Sequence, residues 1–432
     1  MKPERRMKMK IEEIVSKELS EKYYKTTHKS GLDIYVFPKE GYRSTYAIFG
    51  TKYGSVNRCF SVDGGEKVTV PDGIAHYLEH KLFESEDGDA FARYAKTGAN
   101  ANAYTSFSKT CYLFSCSDNF EDSLRILLDF VTSPYFTPQT VQKEQGIIGQ
   151  EIKMYDDSPD WRVMFNMLES MYEKHPVKID IAGTVESISH ITADLLYQCY
   201  NTFYNLSNMA LCVAGNADME TVLKIADEVL KEQKPKKVES FFEPESEGVL
   251  KDYVEQEFPV AVPLFNLGFK ENGSKKLSDE EAALNEIVMT MLFSSTGKLY
   301  TQLLDAGLIN SSFCYEFSEG PGYAVSILSG ESREPEKVAK MIKDYIEKVK
   351  RDGFEEEDFE IAKKTVYGDL IGSFNSPSFI GNALMDCALF GGNLFNYANA
   401  VANADMAGAK KRLDNMLMTD RSVLSVIAPQ KQ

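Results

Sequence analysis

Pro71-Asp72-Gly73-Ile74-Ala75-His76-Tyr77-Leu78-Glu79-His80-Lys81-Leu82-Phe83-Glu84 is the stretch on which the reading of this chain turns. Ile74, Leu78 and Leu82 recur at i, i+4 and i+8, the spacing of one helix face, and Asp72 is a residue type that caps a first turn. On that helix His76 and His80 stand one turn apart, and Glu79 lies three residues from His76 on the same side. Two imidazoles so spaced can hold one tetrahedral cation, and the carboxylate beside them is close enough to work on a water there. A catalytic zinc needs a third protein ligand and an open fourth position, so another acidic or His side chain is expected on a second helix.

A second helix is predicted over Thr137–Tyr155, with Pro138 in its first turn and Val141, Ile147, Ile148, Ile152 and Tyr155 as its apolar positions. It carries Glu144 and Glu151, seven residues apart and hence on one face after two turns.

His76-Tyr77-Leu78-Glu79-His80 is the inverted zinc motif H-x-x-E-H of the inverzincins. With the Glu pair on a later helix, the chain resembles the pitrilysin/insulinase peptidases, in the branch of mitochondrial processing peptidase and its bacterial relatives. The resemblance implies Zn2+ held by His76, His80 and Glu151, with Glu79 as the catalytic general base and Glu144 supporting a ligand from outside. In that family an Asn-Ala-aromatic-Thr-Ser strand lines the cleft and pairs with the substrate peptide. The matching residues here are Asn102, Ala103, Tyr104 and Thr105, followed by Ser106, and they are expected to bind substrate by strand addition. On pattern alone the same residues also fit an ordinary edge strand. The stretch Ile181-Ala182-Gly183-Thr184 is similar to a family loop that precedes a capped helix. The implied fold is α+β, with two homologous domains, each a mainly antiparallel sheet packed with several helices, together forming half of a clamshell chamber.

Composition sets bounds on this reading. At 432 residues two domains are the default, and a 43% hydrophobic content with 26 Phe and 23 Tyr is enough to build their cores. A net charge of -17 argues against a nucleic-acid partner, because phosphate binding needs a basic face; it fits either long-range attraction of basic or weakly charged peptides or plain solubility. No run of apolar residues is long enough for a membrane span. The run Met1–Lys10 is basic without the apolar core of a secretory signal. Seven Cys, an odd number with no C-x-x-C, fit buried thiols in a reducing cytoplasm better than a disulfide framework.

Along the chain, Leu32–Phe37 reads as a strand forming an edge hairpin with Tyr23–Thr27. Thr45–Gly50, Thr110–Cys116 and Met209–Gly215 read as further strands. Residues 233–259 carry Lys, Pro, Glu, Ser and Gly with few large apolar side chains and are taken as a linker. Residues 1–232 then form the metal-bearing catalytic domain and residues 260–432 a homologous domain without metal. The order of elements repeats in the second half, and Ser422–Ile427 mirrors Met209–Gly215.

In single-chain members of the family the second half supplies an Arg and a Tyr that grip the substrate. The matching positions here are Leu304 and Asn310, and neither side chain can do that work. The expectation is therefore a zinc endopeptidase subunit in a heterodimer whose related, non-catalytic partner donates the Arg/Tyr pair. A homodimer is the other arrangement. Tyr315 or Tyr323 of this chain could substitute for the missing grip, and a non-hydrolytic peptide-binding or assembly subunit is the alternative function.

Overall fold

The computed structural model describes residues 10–86 and 88–430, so the basic run at positions 1–9 lies outside the described residues. The strands of the first part are β1 (Glu12–Ser16), β2 (Glu21–Thr27), β3 (Asp33–Pro38), β4 (Thr45–Thr51), β5 (Asn100–Thr105), β6 (Thr110–Cys116) and β7 (Met209–Gly215). They form one sheet in the order β1-β2-β3-β7-β4-β6-β5. All neighbours are antiparallel except β3 and β7. β4 and β7 are buried along their whole length, so they read as unbroken apolar or small-residue runs with no polar face. The β2–β3 hairpin lies inside this sheet, which corrects the expectation of an edge. β1, whose Glu12 and Glu13 weaken its strand signal, adds outside β2, while β7 takes the far side of β3. The edges are β1 and β5.

The second part repeats the plan. Its strands β8 (Tyr253–Phe258), β9 (Leu264–Glu271), β10 (Cys314–Gly320), β11 (Tyr323–Glu331) and β12 (Ser422–Pro429) lie in the order β8-β12-β9-β11-β10, with β8 and β12 the parallel pair. This is the order of β3-β7-β4-β6-β5, so the two sheets are copies of one topology.

The helices that matter below are α1 (Ile74–Leu82), α2 (Ala90–Thr97), α3 (Phe120–Thr132), α4 (Pro138–Asp156), α5 (Pro159–Met171) and α6 (Pro377–Phe390). The chain forms two compact units: residues 1–148, 181–241 and 371–395, and residues 149–180, 242–370 and 396–432. One cut at a linker does not produce them. α5, early in the chain, belongs to the second unit and packs on β9 and β12, whereas α6, late in the chain, belongs to the first and packs on β4 and β7. Each crossing helix meets a glycine in the strand beneath it. A Cβ on Gly50 would lie 2.7 Å from Met385 Sδ, and one on Gly268 2.5 Å from Met167 Sδ. The missing side chain lets helix and sheet approach in both copies.

Residues 233–259, expected as linker, also contain structure. Val238–Ser240 pairs with Cys59–Val62, and β8 occupies Tyr253–Phe258. β8 alternates exposed and half-buried positions, and Glu255 and Glu257 on its outer face disguise it in the sequence.

Candidate metal centre

α1 starts at Gly73, whose φ of +86° is the left-handed region that favours glycine. Asp72 does not cap the helix, contrary to expectation; its carboxylate pairs with Arg58 Nε at 3.2 Å. The reason is close packing. A Cβ on Gly73 would lie 2.3 Å from the Ala182 carbonyl oxygen, and Ser187 Oγ donates to the Asp72 carbonyl at 2.9 Å. The Ile181–Thr184 loop thus braces the start of the helix. Leu78 and Leu82 are buried, and the fully buried Tyr77 donates its hydroxyl to the Val141 carbonyl of α4. That bond fixes α1 beside α4, because leaving either group unsatisfied in the interior costs about 1–3 kcal/mol.

Held this way, His76 is 7% exposed and its ring centroid lies 4.6 Å from that of His80, the two rings inclined at 67°. α4 runs on without a break to Glu151. One donor atom each from His76, His80 and Glu151 lie within 4.8 Å of one another. Two imidazoles and a carboxylate suit zinc, and they leave a tetrahedral ion one position for water or substrate. The residues present therefore fit the metal.

Glu144 is half-buried, its side chain 14% exposed, and accepts from His80 Nδ1 at 3.1 Å. A proton held on Nδ1 sets the tautomer in which Nε2 carries the lone pair, the usual arrangement of a ligating histidine. Burial pushes the Glu144 carboxyl up, but the His80 hydrogen bond and the charges of His80, Lys81 and Lys143 outweigh it, and the net direction is down.

Glu79 is 8% exposed, and its Oε2 accepts from Thr105 Oγ1 at 2.5 Å. Thr105 Oγ1 is 3.3 Å from Thr110 Oγ1, which donates to the Tyr53 carbonyl at 2.8 Å. The last residue of β5 is thereby aimed at the carboxylate. Asn102 and Ala103 border, with Glu79, His80, Phe83 and Phe91, a cavity of about 670 Å3. Tyr104 points elsewhere: its hydroxyl donates to Asn382 Oδ1 on α6 at 3.0 Å, and Lys109 Nζ sits 5.9 Å from its ring centroid. Strand alternation is the reason, since Thr105 and Tyr104 must face opposite ways. Ile147, expected in the apolar stripe of α4, is exposed and forms part of the wall of this cavity.

Two contributions went unread in the sequence. Thr105, expected along the substrate-binding strand, also donates its hydroxyl to Glu79. Tyr155, read as apolar, donates its hydroxyl to Glu151 Oε1 at 2.7 Å. The i, i+4 spacing of Glu151 and Tyr155 was the available signal.

In the second unit Leu304 is exposed, and Asn310 Nδ2 donates to Glu331 Oε2 at 2.7 Å. Tyr315 shares a 2.9 Å hydrogen bond with Thr290, and Tyr323 is buried against His175.

Two family models match the chain: insulinase (peptidase family M16) over residues 61–185, and peptidase M16 inactive domain over residues 190–366. A Bacillus subtilis protein named uncharacterized zinc protease YmfH is 40% identical over 432 residues, which cover 97% of this chain and 100% of that one. The crystal structure of an M16-like peptidase from Alicyclobacillus acidocaldarius aligns with a TM-score of 0.90 at 32% identity, covering 98% of this chain and 99% of that one. Pitrilysin aligns with a TM-score of 0.74 at 15% identity, over 98% of this chain and 47% of pitrilysin, and so shares the fold.

Proposed function

This chain belongs to the insulinase family of peptidases, M16, and from that premise we propose that it is a zinc-dependent endopeptidase acting on extended peptides. The observation that carries the proposal is the convergence of His76, His80 and Glu151 donor atoms within 4.8 Å on α1 and α4, next to the buried Glu79. Zinc, when bound, supplies a positive charge that acidifies water and polarises a carbonyl.

The protein's own residues do the rest. Among the described residues β5 pairs only with β6 and presents its other edge, along which a peptide can lie as an added strand. The stacked rings of Phe83 and Phe91, 4.5 Å apart, give the cavity beside Glu79 an apolar wall for a substrate side chain. Glu79 takes a proton from the attacking water as the water's oxygen bonds to the scissile carbon. It then passes that proton to the nitrogen as the C–N bond breaks. Thr105 keeps the Glu79 carboxylate in one orientation through both transfers.

Leu304 and Asn310 leave the second unit without an Arg/Tyr grip at the positions where the family has one. We assign that grip to a related partner chain in a heterodimer. Among the described residues no helix is long and apolar enough to cross a membrane and the cysteines form no disulfide, which supports a place in the reducing cytoplasm.

The test is peptide cleavage by the purified chain before and after chelation, with metal content and thermal melting followed in parallel. Activity that disappears with zinc and returns with it, in a protein that stays folded, supports the peptidase. Stoichiometric zinc and peptide binding without cleavage, alone or with candidate partners, favours the peptide-binding subunit. Rapid turnover by the isolated monomer refutes the partner.

A further inference from the structure

Glu151 is the ligand that comes from the second helix, and it has its own support. Tyr155, one turn further along α4, donates to Glu151 Oε1 at 2.7 Å. Its ring lies on that of Trp161, with centroids 4.4 Å apart and planes inclined at 15°. Trp161 Nε1 donates in turn to Asp180 Oδ2. Ser158 caps α5 and fixes Trp161 in the first turn of that helix, the Trp161 backbone N–H donating to Ser158 Oγ. Trp161 also packs against Phe165, with ring centroids 5.3 Å apart.

Each link removes a freedom. The stack sets the plane of the Tyr155 ring, the indole N–H bond stops the Trp161 ring from turning, and the hydroxyl fixes one carboxylate oxygen of Glu151. A carboxylate on a helix surface would otherwise sample several rotamers, and ordering it on binding would weaken the metal site. α4 alone cannot supply this order, because Met154 and Lys153 beside Tyr155 are exposed and Gly149 precedes Glu151 by two residues.

We propose that Tyr155, clamped by Trp161 and Asp180, is a positioning residue for Glu151, and that Trp161 reports on whether the metal site is filled. Trp161 is the chain's single tryptophan, so its fluorescence comes from one place. Drawing Glu151 toward a cation shifts the Tyr155 hydroxyl bond and the ring stacked above the indole. The inference rests on the zinc reading of His76, His80 and Glu151, and the experiment separates the two.

Metal-free full-length protein is titrated with zinc in competition with a chromophoric chelator, and tryptophan emission is recorded in the same samples. In the wild-type protein the emission change follows the chelator-derived occupancy. Tyr155→Phe keeps the stack and loses only the hydroxyl. It is expected to weaken zinc about 10- to 100-fold, the usual cost of losing a group that orients a ligand, while the metal-free melting temperature stays at the wild-type value. Trp161→Phe, read by the chelator alone, keeps an aromatic plane without the N–H and weakens zinc by a smaller factor, which carries the test should Tyr155→Phe fold poorly. A wild-type protein that binds no zinc overturns the metal reading and the clamp together. Zinc affinity in both variants within twofold of the wild type overturns the clamp and leaves the metal reading standing.

Discussion

Replacing Glu79 by Gln probes the chemistry without disturbing the frame. Glu79 is 8% exposed, and the contact that defines its orientation is the Thr105 hydroxyl on Oε2. A Gln amide oxygen can accept the same hydrogen bond in the same volume, so the packing of α1 against β5 is kept. The lost function is proton acceptance. A positioned general base contributes about 10²–10⁴ in rate, which at 1.36 kcal/mol per tenfold is about 3–5 kcal/mol of barrier. Glu79 is not among the clustered donors His76, His80 and Glu151, so zinc content should stay stoichiometric. The assay is cleavage of an internally quenched peptide at saturating concentration, with zinc measured on the same sample by atomic emission. A fully loaded Glu79→Gln protein that retains more than about a tenth of the wild-type rate refutes the general-base assignment. A variant that loses both zinc and activity shows instead that Glu79 helps hold the metal.

Glu144→Gln should weaken zinc by about 10- to 100-fold, because the Gln can no longer favour the proton on His80 Nδ1 by charge; an unchanged zinc affinity removes Glu144 from that role. Glu245 accepts from the backbone N–H groups of Glu173, Lys174 and His175 at 3.0, 2.8 and 2.8 Å and pairs with the buried Lys270 at 3.2 Å. Burial pushes its carboxyl up, but these bonds and the Lys270 charge hold it down at about 2. A folded-state value below the ordinary 4.5 means the stabilisation is complete above pH 4.5 and fades as the pH falls toward 2. Glu245→Gln should therefore cost at most about 3 kcal/mol at pH 7, with a gap to wild type that narrows below pH 4.5. Urea melts across that range check it, and a gap independent of pH counts against the ionised carboxylate as its source.

How far the sequence could be read depends on whether the physics was local. A helix announces itself through side chains three and four residues apart, so α4 at Pro138–Asp156 falls within about one residue of the expected Thr137–Tyr155, and the spacing that put His76 and His80 on one face of a helix is the spacing seen on α1. β4, β6 and β7 were legible for the same reason, their apolar and β-branched residues being consecutive. β1 and β8 were missed because Glu residues on their open faces dilute the pattern, and the hydrogen bonds that make them strands come from neighbours distant in the chain. α6 was missed because helix 356–373 and the helices after it follow one another closely, with no charged stripe along α6 to mark it.

By itself the sequence determined the one-turn spacing of His76 and His80 on α1, the presence of a Glu pair on α4 and the doubling of the whole α/β pattern. Those are properties of residues close enough to be related by a helix turn or a strand repeat. Tertiary structure decided that α5 and α6 each cover the sheet of the other half, that Gly73 starts α1 where Asp72 was expected to cap it, and that Thr105 grips Glu79. It also set Tyr155 against Trp161. These depend on which surfaces meet once the chain has closed on itself: Thr105 and Glu79 are 26 positions apart, and Tyr155 and Trp161, though near in sequence, sit on different helices, so no period in the sequence records either contact.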